Sequence, residues 1–270
     1  MRTVFSFLIC VSGCFTTAGQ SLRYPVAKPY ISLSAYSKEQ NDGLSFTGNQ
    51  AALAQTRHSA VGLFSERRFM LKETGTYTLG AAFPTQLGNF GIQLNYSGFK
   101  NFNEYKAGLA YARKLGSAMD VGVQFNYYGY RIPVYGNTST MNFEIGMMMH
   151  LTNKLNAGIH IYNPIAGKLS AEKLASVYKA GLGYDVTEQF FIAAEIIKEE
   201  DKPVNVIAGM QYHFAKQFFL RMGVMSESAT FYTGAGVGWK GLRLDISCSQ
   251  HPQLGFSPGM LLLMDIKRKQ

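Results

Sequence analysis

The feature of this sequence that most constrains its fold is a period-two alternation of apolar and polar side chains. In the stretch VYKAGLGYDVTEQFFIAAEIIKEE, residues 177–200, apolar residues stand at every second position on either side of a break at TEQ. Successive side chains of a β-strand point to opposite faces, so the pattern predicts a hairpin in which each strand has one apolar face. The alternation recurs in FGIQLNYSG, MDVGVQFNYYG, NVIAGMQYHF and LRLDISC.

This pattern predicts fourteen strands and a regular alternation of connection lengths. The strands are expected to begin near residues 57, 74, 90, 104, 119, 141, 155, 177, 189, 203, 217, 230, 241 and 258. Short turns are expected near Gly116, Asn153 and Glu188, and longer loops over 132–140 and 164–176, where residues 170–176 have the spacing of a short amphipathic helix or form a simple loop. A meander with short turns at one end and long loops at the other is typical of a transmembrane barrel.

The apolar rows could face a protein core or lipid. In a soluble β-sandwich or lipocalin-like barrel they would point inward, and rows as uninterrupted as MNFEIGMMMHL would then require a very large core. Tilted strands of about ten residues instead span the hydrocarbon layer of a bilayer. We therefore predict an all-β protein: a transmembrane antiparallel β-barrel of about fourteen strands over residues 57–267, with an N-terminal plug-like segment.

The N-terminus indicates export. Residues 1–18 combine Arg2, an apolar run and small residues ending at Ala18, which is the pattern of a secretory signal peptide. Two alternatives are a lipoprotein signal, in which VSGC would lead to lipidation of Cys14, and an uncleaved buried segment. Export combined with a transmembrane barrel predicts location in a bacterial outer membrane, in contact with its lipid.

Residues 19–56 lack sustained alternation and are predicted to form a segment that plugs the lumen; a disordered leader is the alternative. Small inward residues, mostly glycine, would leave room beside the wall for such a segment or for a ligand, or would ease the curvature of the barrel.

The polar row of each strand supplies the candidate lumen residues. They could select what passes through a channel, or they could pair with opposite charges and hold the interior closed. The predicted lumen-lining residues are Lys106, Glu144, His160, Lys179, Glu195, Arg221, Arg243 and Asp245.

Other function classes have little support. The chain contains no Gly-x-Ser-x-Gly, paired-Cys or His-Glu-x-x-His motif, so neither an enzyme nor a metal or other cofactor is predicted. The net charge of +9 could attract nucleic acid, but the longest run of basic residues is the terminal KRK. Nucleic acid is therefore not an expected partner.

The run GNQAALAQ, residues 48–55, resembles an element that FadL-like outer-membrane barrels carry just before their first strand, Asn-Pro-Ala-x-Leu-Ala. Asn49, Ala51 and Leu53 match that pattern, and Gln50 stands where proline is usual. The runs RMGV, GAGVGWKGLRLDIS and HPQLGFSPGMLLLMDI resemble the PorV/PorQ branch, which serves type IX secretion.

The resemblance implies a barrel whose lumen is plugged or open laterally, and it leaves two functions. The first expectation is an accessory that docks secretion-system proteins. The alternative is a channel for a hydrophobic small molecule. A filled, charged lumen with apolar loop tips would favour docking, whereas an apolar lumen wall with a break between strands would favour transport.

Overall fold

The structure is a computed structural model that describes residues 29–133, 136–165, 168–169, 172–200 and 202–266. The predicted signal peptide, the alternative lipidation site at Cys14 and residues 19–28 of the predicted plug-like segment lie outside these residues. Among the described residues, no helix combines the length and the apolar character that a membrane crossing needs.

The described chain is built mainly from β-strands, because the alternating rows let each strand bury one face and expose the other. The strands are β1 Ser59–Arg67, β2 Gly75–Thr85, β3 Gly88–Phe99, β4 Phe102–Leu115, β5 Met119–Ile132, β6 Gly136–His150, β7 Leu155–Tyr162, β8 Lys168–Leu169, β9 Glu172–Lys173, β10 Val177–Asp185, β11 Phe190–Glu199, β12 Asn205–His213, β13 Phe218–Met225, β14 Thr230–Trp239, β15 Leu242–His251 and β16 Gly255–Ile266.

In the part of the chain that the structure describes, helical structure consists of short pieces before and between these strands. One α-helix, α1, spans Pro29–Ser34, and 3₁₀ turns span Ser45–Thr47, Gln50–Gln55, Arg68–Met70, Lys72–Thr74 and Glu227–Ala229.

Fourteen of the described strands close into an antiparallel barrel, which confirms the predicted fold class. Each strand pairs with its neighbour along the chain, except that β7 pairs with β10 because β8 and β9 form a separate hairpin between them. The ring closes where β1 pairs with β16, with Ser59 opposite Ile266. The predicted strand starts fall within a few residues of the observed ones, apart from β6, which begins earlier.

The two ends of the barrel differ. The terminal end carries the start of β1, the end of β16 and the turns 86–87, 116–118, 151–154, 186–189, 214–217 and 240–241. The loop end carries the connections 68–74, 100–101, 133–135, 163–176, 200–204, 226–229 and 252–254.

One expectation about the loop end was wrong, and one of two alternatives there is not observed. The expected loop over 132–140 is mostly strand, since β5 and β6 remain paired out to Ile132 opposite Gly136. Residues 137–140 are polar, yet the ladder hydrogen bonds need only the backbone, so the hairpin continues past the apolar rows. Within the 164–176 connection, the described part of the suggested helix is not helical: residues 172–173 form β9 and residues 174–176 have no helical turn.

The exposed rows of the strands are mostly apolar, and the buried rows carry many polar, charged and small side chains, which differs from the arrangement of a soluble domain. On β10, Tyr178, Leu182 and Tyr184 are 48%, 53% and 40% exposed, while Lys179 between them is 2% exposed. Large contiguous apolar surfaces on a folded protein mark contact with a partner or a membrane. An outward apolar band with a polar interior is the arrangement of a barrel in lipid.

The lipid-facing assignment predicts that the cost of a charge depends on its depth. Leu109, at the middle of β4, and Leu115, at its terminal end, lie on the same exposed face. We expect Leu109→Arg to lower the free energy of unfolding in lipid vesicles by roughly 2–4 kcal/mol, and Leu115→Arg by about 0–1 kcal/mol, because the second charge reaches the interface. Equal losses in denaturant titrations would contradict the assignment.

Candidate functional site: a barrel lumen filled by the N-terminal segment

The N-terminal segment, residues 29–56, lies inside the barrel in the half nearer the terminal end. Tyr36, Phe46 and Leu53 are among its almost completely buried side chains. A Cβ atom on Gly181 of β10 would overlap the ring of Tyr36, and one on Gly122 of β5 would overlap the backbone of Gln50. Glycine at these two wall positions therefore allows the close approach of the segment.

The three residues of the resemblance motif join the segment to the wall. The Asn49 side chain caps the following 3₁₀ turn by accepting a 3.0 Å hydrogen bond from the amide of Ala51. Its Nδ2 also donates to the carbonyl of Ile159 on β7 at 3.1 Å. Ala51 and Leu53 are fully buried, and Asn89 on β3 donates to the carbonyl of Leu53 at 2.7 Å. The small and apolar motif positions thus make close packing against both sides of the lumen possible.

The first of three polar clusters in the lumen is centred on the Glu144 carboxylate of β6. Lys106 Nζ lies 2.9 Å from one of its oxygens, and His160 Nε2 lies 3.0 Å from the other. Asn126 Nδ2 donates to Glu144 at 2.8 Å, and the side-chain amide of Gln50 donates at 2.5 Å. Gln50, which replaces the proline usual in the resembling family, therefore links the segment directly to this cluster.

The second cluster is centred on Glu195 of β11. Ser32 Oγ donates to both carboxylate oxygens at 3.0 Å, and Tyr36 OH donates to one of them at 2.7 Å. Lys179 Nζ lies 3.8 Å from the carboxylate and donates to the carbonyl of Gly48 at 3.4 Å. Wall and segment thus share the same charged network.

The third cluster holds the segment near the terminal end. Arg243 lies 2.6 Å from Asp42 of the segment and 3.1 Å from Asp245, and Arg221 lies 2.9 Å from Asp245. Burial alone would raise the pKa of Asp42, but Arg243 and Arg221 outweigh that effect and hold the pKa below its usual value. Asp42 is therefore ionised at neutral pH and forms an ion pair with the wall.

All eight predicted lumen residues thus point inward, and the structure gathers them into these three clusters.

A further group of inward polar residues was not among the predicted lumen-lining residues. His150 Nε2 lies 2.9 Å from Asp120 and 3.0 Å from the side-chain amide of Gln55, and the Asp185 carboxylate accepts hydrogen bonds from Ser37 Oγ and the backbone amide of Lys38. Asp120 and Asp185 occur on the polar rows beside short turns, and this position in the sequence could have identified them as lumen residues.

Toward the loop end the inward surface carries more apolar side chains, although Glu66 and Glu104 are also buried there. Its nearly buried inward side chains are Phe64, Tyr128, Tyr162, Val177, Ile197, Ile207, Tyr232 and Leu261. Leu174, from the connection between β7 and β10, is also buried among them. We call this set the apolar chamber; the alternation alone predicted a polar lining there.

No protein-family model and no curated protein matches the sequence. Solved structures match the fold. The CymD monoaromatic hydrocarbon channel is 11% identical, with a TM-score of 0.65 over 85% of this chain and 94% of that chain. The Pseudomonas putida toluene transporter TodX is 9% identical, with a TM-score of 0.64 over 84% and 95%.

A Pseudomonas aeruginosa FadL homologue is 11% identical, with a TM-score of 0.58 over 84% of this chain and 95% of that chain. At these identities the likeness concerns the fold. The chain therefore has the fold of FadL-like outer-membrane channels, with the N-terminal segment inside its barrel.

Proposed function

We propose that this protein is an outer-membrane channel that takes up an apolar small molecule and whose N-terminal segment closes the lumen to water and ions. The observation that carries the proposal is the set of buried apolar and aromatic side chains in the loop half of a lumen whose terminal half is filled by the segment. The charged pairs of the first two clusters border this set, with Lys106 opposite Tyr128 and Glu195 opposite Ile207. In the predicted orientation, short turns face the periplasm, so the chamber faces the outside.

The charged half is suited to closure rather than to ion selection. Lys106 lies against Glu144, Arg221 against Asp245, and Arg243 against Asp42 of the segment. Paired charges leave little net field to attract an ion, and buried pairs with additional hydrogen bonds favour a single arrangement of the side chains. The segment therefore acts as a plug in this proposal.

The chamber is suited to an apolar ligand with an aromatic ring. Tyr128, Tyr162 and Tyr232 provide ring faces and edges among aliphatic side chains, and aromatic pairs prefer offset or edge-to-face contacts. Pockets for small molecules are mostly apolar with a few polar groups. The likeness to channels described as carrying monoaromatic hydrocarbons and toluene supports the same ligand class. The proposal includes no enzymatic step.

Photolabelling tests this proposal. The protein in vesicles is exposed to a monoaromatic probe that carries a diazirine, and labelled peptides are identified by mass spectrometry. We expect label on chamber residues such as Tyr128 and Ile207, and we expect excess toluene to reduce it. Ile207→Asp should abolish that label because a charge in the chamber opposes an apolar ligand, whereas Val206→Thr, on the exposed face beside it, should not. Label on lipid-facing positions alone would contradict the proposal.

A second candidate function is docking of secretion-system proteins, in the manner of the PorV/PorQ branch. Apolar side chains are exposed on connections of the loop end: Met70 by 66%, Ile165 by 76% and Leu254 by 55%. The barrel ladder has no break among the described strands, and the lumen is filled and charged. These three features are the ones that favour docking over transport.

Affinity purification after cross-linking in native outer membranes separates the two functions. A protein partner that cross-links to wild-type protein and is lost with Met70→Asp and Ile165→Asp, while toluene-sensitive label in the chamber is absent, would favour docking. Toluene-sensitive label without such a partner would favour the channel.

A further inference from the structure

The lipid-facing wall of the barrel contains an apolar groove that crosses β10 to β14. The groove has a volume of about 540 Å³, within the range of small-molecule pockets. Its outward-facing lining residues are Leu182, Tyr184, Ile192, Ala194, Ala208, Met210, Met222, Val224 and Phe231, and Leu155 lies at its end on β7.

The groove exists because small residues meet across strands. Ala194 on β11 is directly opposite Ala208 on β12, and their larger neighbours in the same register are Leu182 on β10 and Val224 on β13. The two alanines therefore form a low area between longer side chains, which deepens the groove. The lining extends from Leu155 and Tyr184 near the terminal end to Phe231 near the loop end, so the groove crosses the strands obliquely.

One end of the groove reaches a basic position at the terminal end. Leu155 directly follows Lys154, and Tyr184 lies two residues before Val186. The Lys154 ammonium donates a 2.8 Å hydrogen bond to the carbonyl of Val186, which places it over the turn between β10 and β11. An ammonium has three donors, so Lys154 has hydrogen-bonding capacity left for another acceptor.

We propose that this groove binds a glycerophospholipid of the periplasmic leaflet, with one acyl chain lying in it and the phosphate at Lys154. The exposed side chains and their position in the apolar band place the groove in contact with acyl chains. The positive charge at one end and the apolar groove above it match the two parts of a phospholipid. Lysine near the membrane surface attracts anionic lipid, and the tyrosine ring of Tyr184 suits the interface.

The basic position belongs to a wider rim of exposed lysines at the terminal end, which includes Lys114, Lys216 and Lys240. Glu188, on the turn beside Lys154, is acidic and exposed, and Lys38 of the N-terminal segment donates to the carbonyl of Thr152 on the turn that carries Lys154. Lys154 and Lys38 therefore supply the local positive charge. Substitutions of Lys154 and Ala208 are therefore expected to weaken binding of the proposed lipid most.

Native mass spectrometry tests the proposal. The protein is reconstituted in vesicles of phosphatidylethanolamine and phosphatidylglycerol, extracted in a mild detergent, and examined for retained lipid. We expect wild-type protein to retain one phospholipid. Ala208→Phe, which fills the groove, should reduce the lipid-bound fraction severalfold. Lys154→Gln, which removes the charge, should reduce the bound phosphatidylglycerol more than the phosphatidylethanolamine.

Ala107→Phe is the matched control, because Ala107 is a small exposed residue on β4 outside the groove. It should leave retention unchanged. Heat-modifiable migration on gels shows whether each variant is folded. If Ala208→Phe does not fold, lipid retention by Lys154→Gln alone tests the proposal. The proposal is overturned if wild-type protein retains no phospholipid, or if Lys154→Gln and any folded Ala208→Phe retain as much as Ala107→Phe.

Discussion

Deletion of residues 29–55 is expected to turn a silent barrel into one that conducts ions in planar bilayers. All fourteen barrel strands lie after this segment, so the variant should still form a heat-modifiable barrel. The segment supplies Gln50 to the first polar cluster, Ser32 and Tyr36 to the second and Asp42 to the third. Its removal leaves polar wall groups that water can hydrate, which opens an aqueous path through the charged half.

The control restores the segment in trans. A synthetic peptide of residues 29–55 should lower the single-channel conductance of the deleted barrel. The same peptide with Asp42→Arg should block less, because it places a positive charge against Arg243. If the deleted barrel is as silent as the complete protein, the wall itself fills the interior and the closing role of the segment is wrong.

Glu144→Ala is expected to cause the largest loss of stability of any single lumen substitution considered. It removes the acceptor of Lys106, His160, Asn126 and Gln50 together and leaves the Lys106 ammonium buried at 4% exposure. Removing one partner of a buried ion pair costs about 3–5 kcal/mol because the other charge is left uncompensated. The free energy of unfolding can be measured by denaturant titration in lipid vesicles, with Trp239 fluorescence as the signal.

Two control variants show whether the loss of stability comes from an uncompensated buried charge. The double variant Lys106→Met/Glu144→Leu should lose less stability than Glu144→Ala, because no buried charge remains. Lys202→Ala breaks an ion pair with Glu199 in which Lys202 is 43% exposed, and should cost about 0–1 kcal/mol. A Glu144→Ala loss no greater than that of Lys202→Ala would show that the cluster does not stabilise the closed lumen.

The barrel was predictable from the sequence because its physical cause is local. Strand faces alternate residue by residue, so Leu182 and Lys179 on β10 could be assigned to opposite sides without knowing any partner. The chain order of strands follows from short antiparallel connections. The length of the β5–β6 hairpin was not predictable from the apolar rows, because backbone pairing continues where the side chains have become polar.

The inside of the barrel was less predictable, because its contacts join distant residues. The inward direction of Glu144 follows from alternation, but its contact with Gln50 depends on how an irregular segment folds. The apolar chamber was missed for a related reason. Ile207 and Tyr232 stand near strand ends, where apolar residues on both faces make the alternation weak. His150 and Asp120 lie on the inward rows of β6 and β5, and the hairpin brings them together, but the pattern did not single them out among the polar residues near the turns.

The position of the N-terminal segment also bears on how the barrel assembles. Most ladder pairings join strands close in sequence, but the β1–β16 seam joins the two ends of the barrel and carries the greatest cost in chain entropy. Leu44 of the segment packs where Gly62 of β1 and Leu263 of β16 meet. The segment therefore touches both sides of the seam, and its contacts stabilise the closed ring.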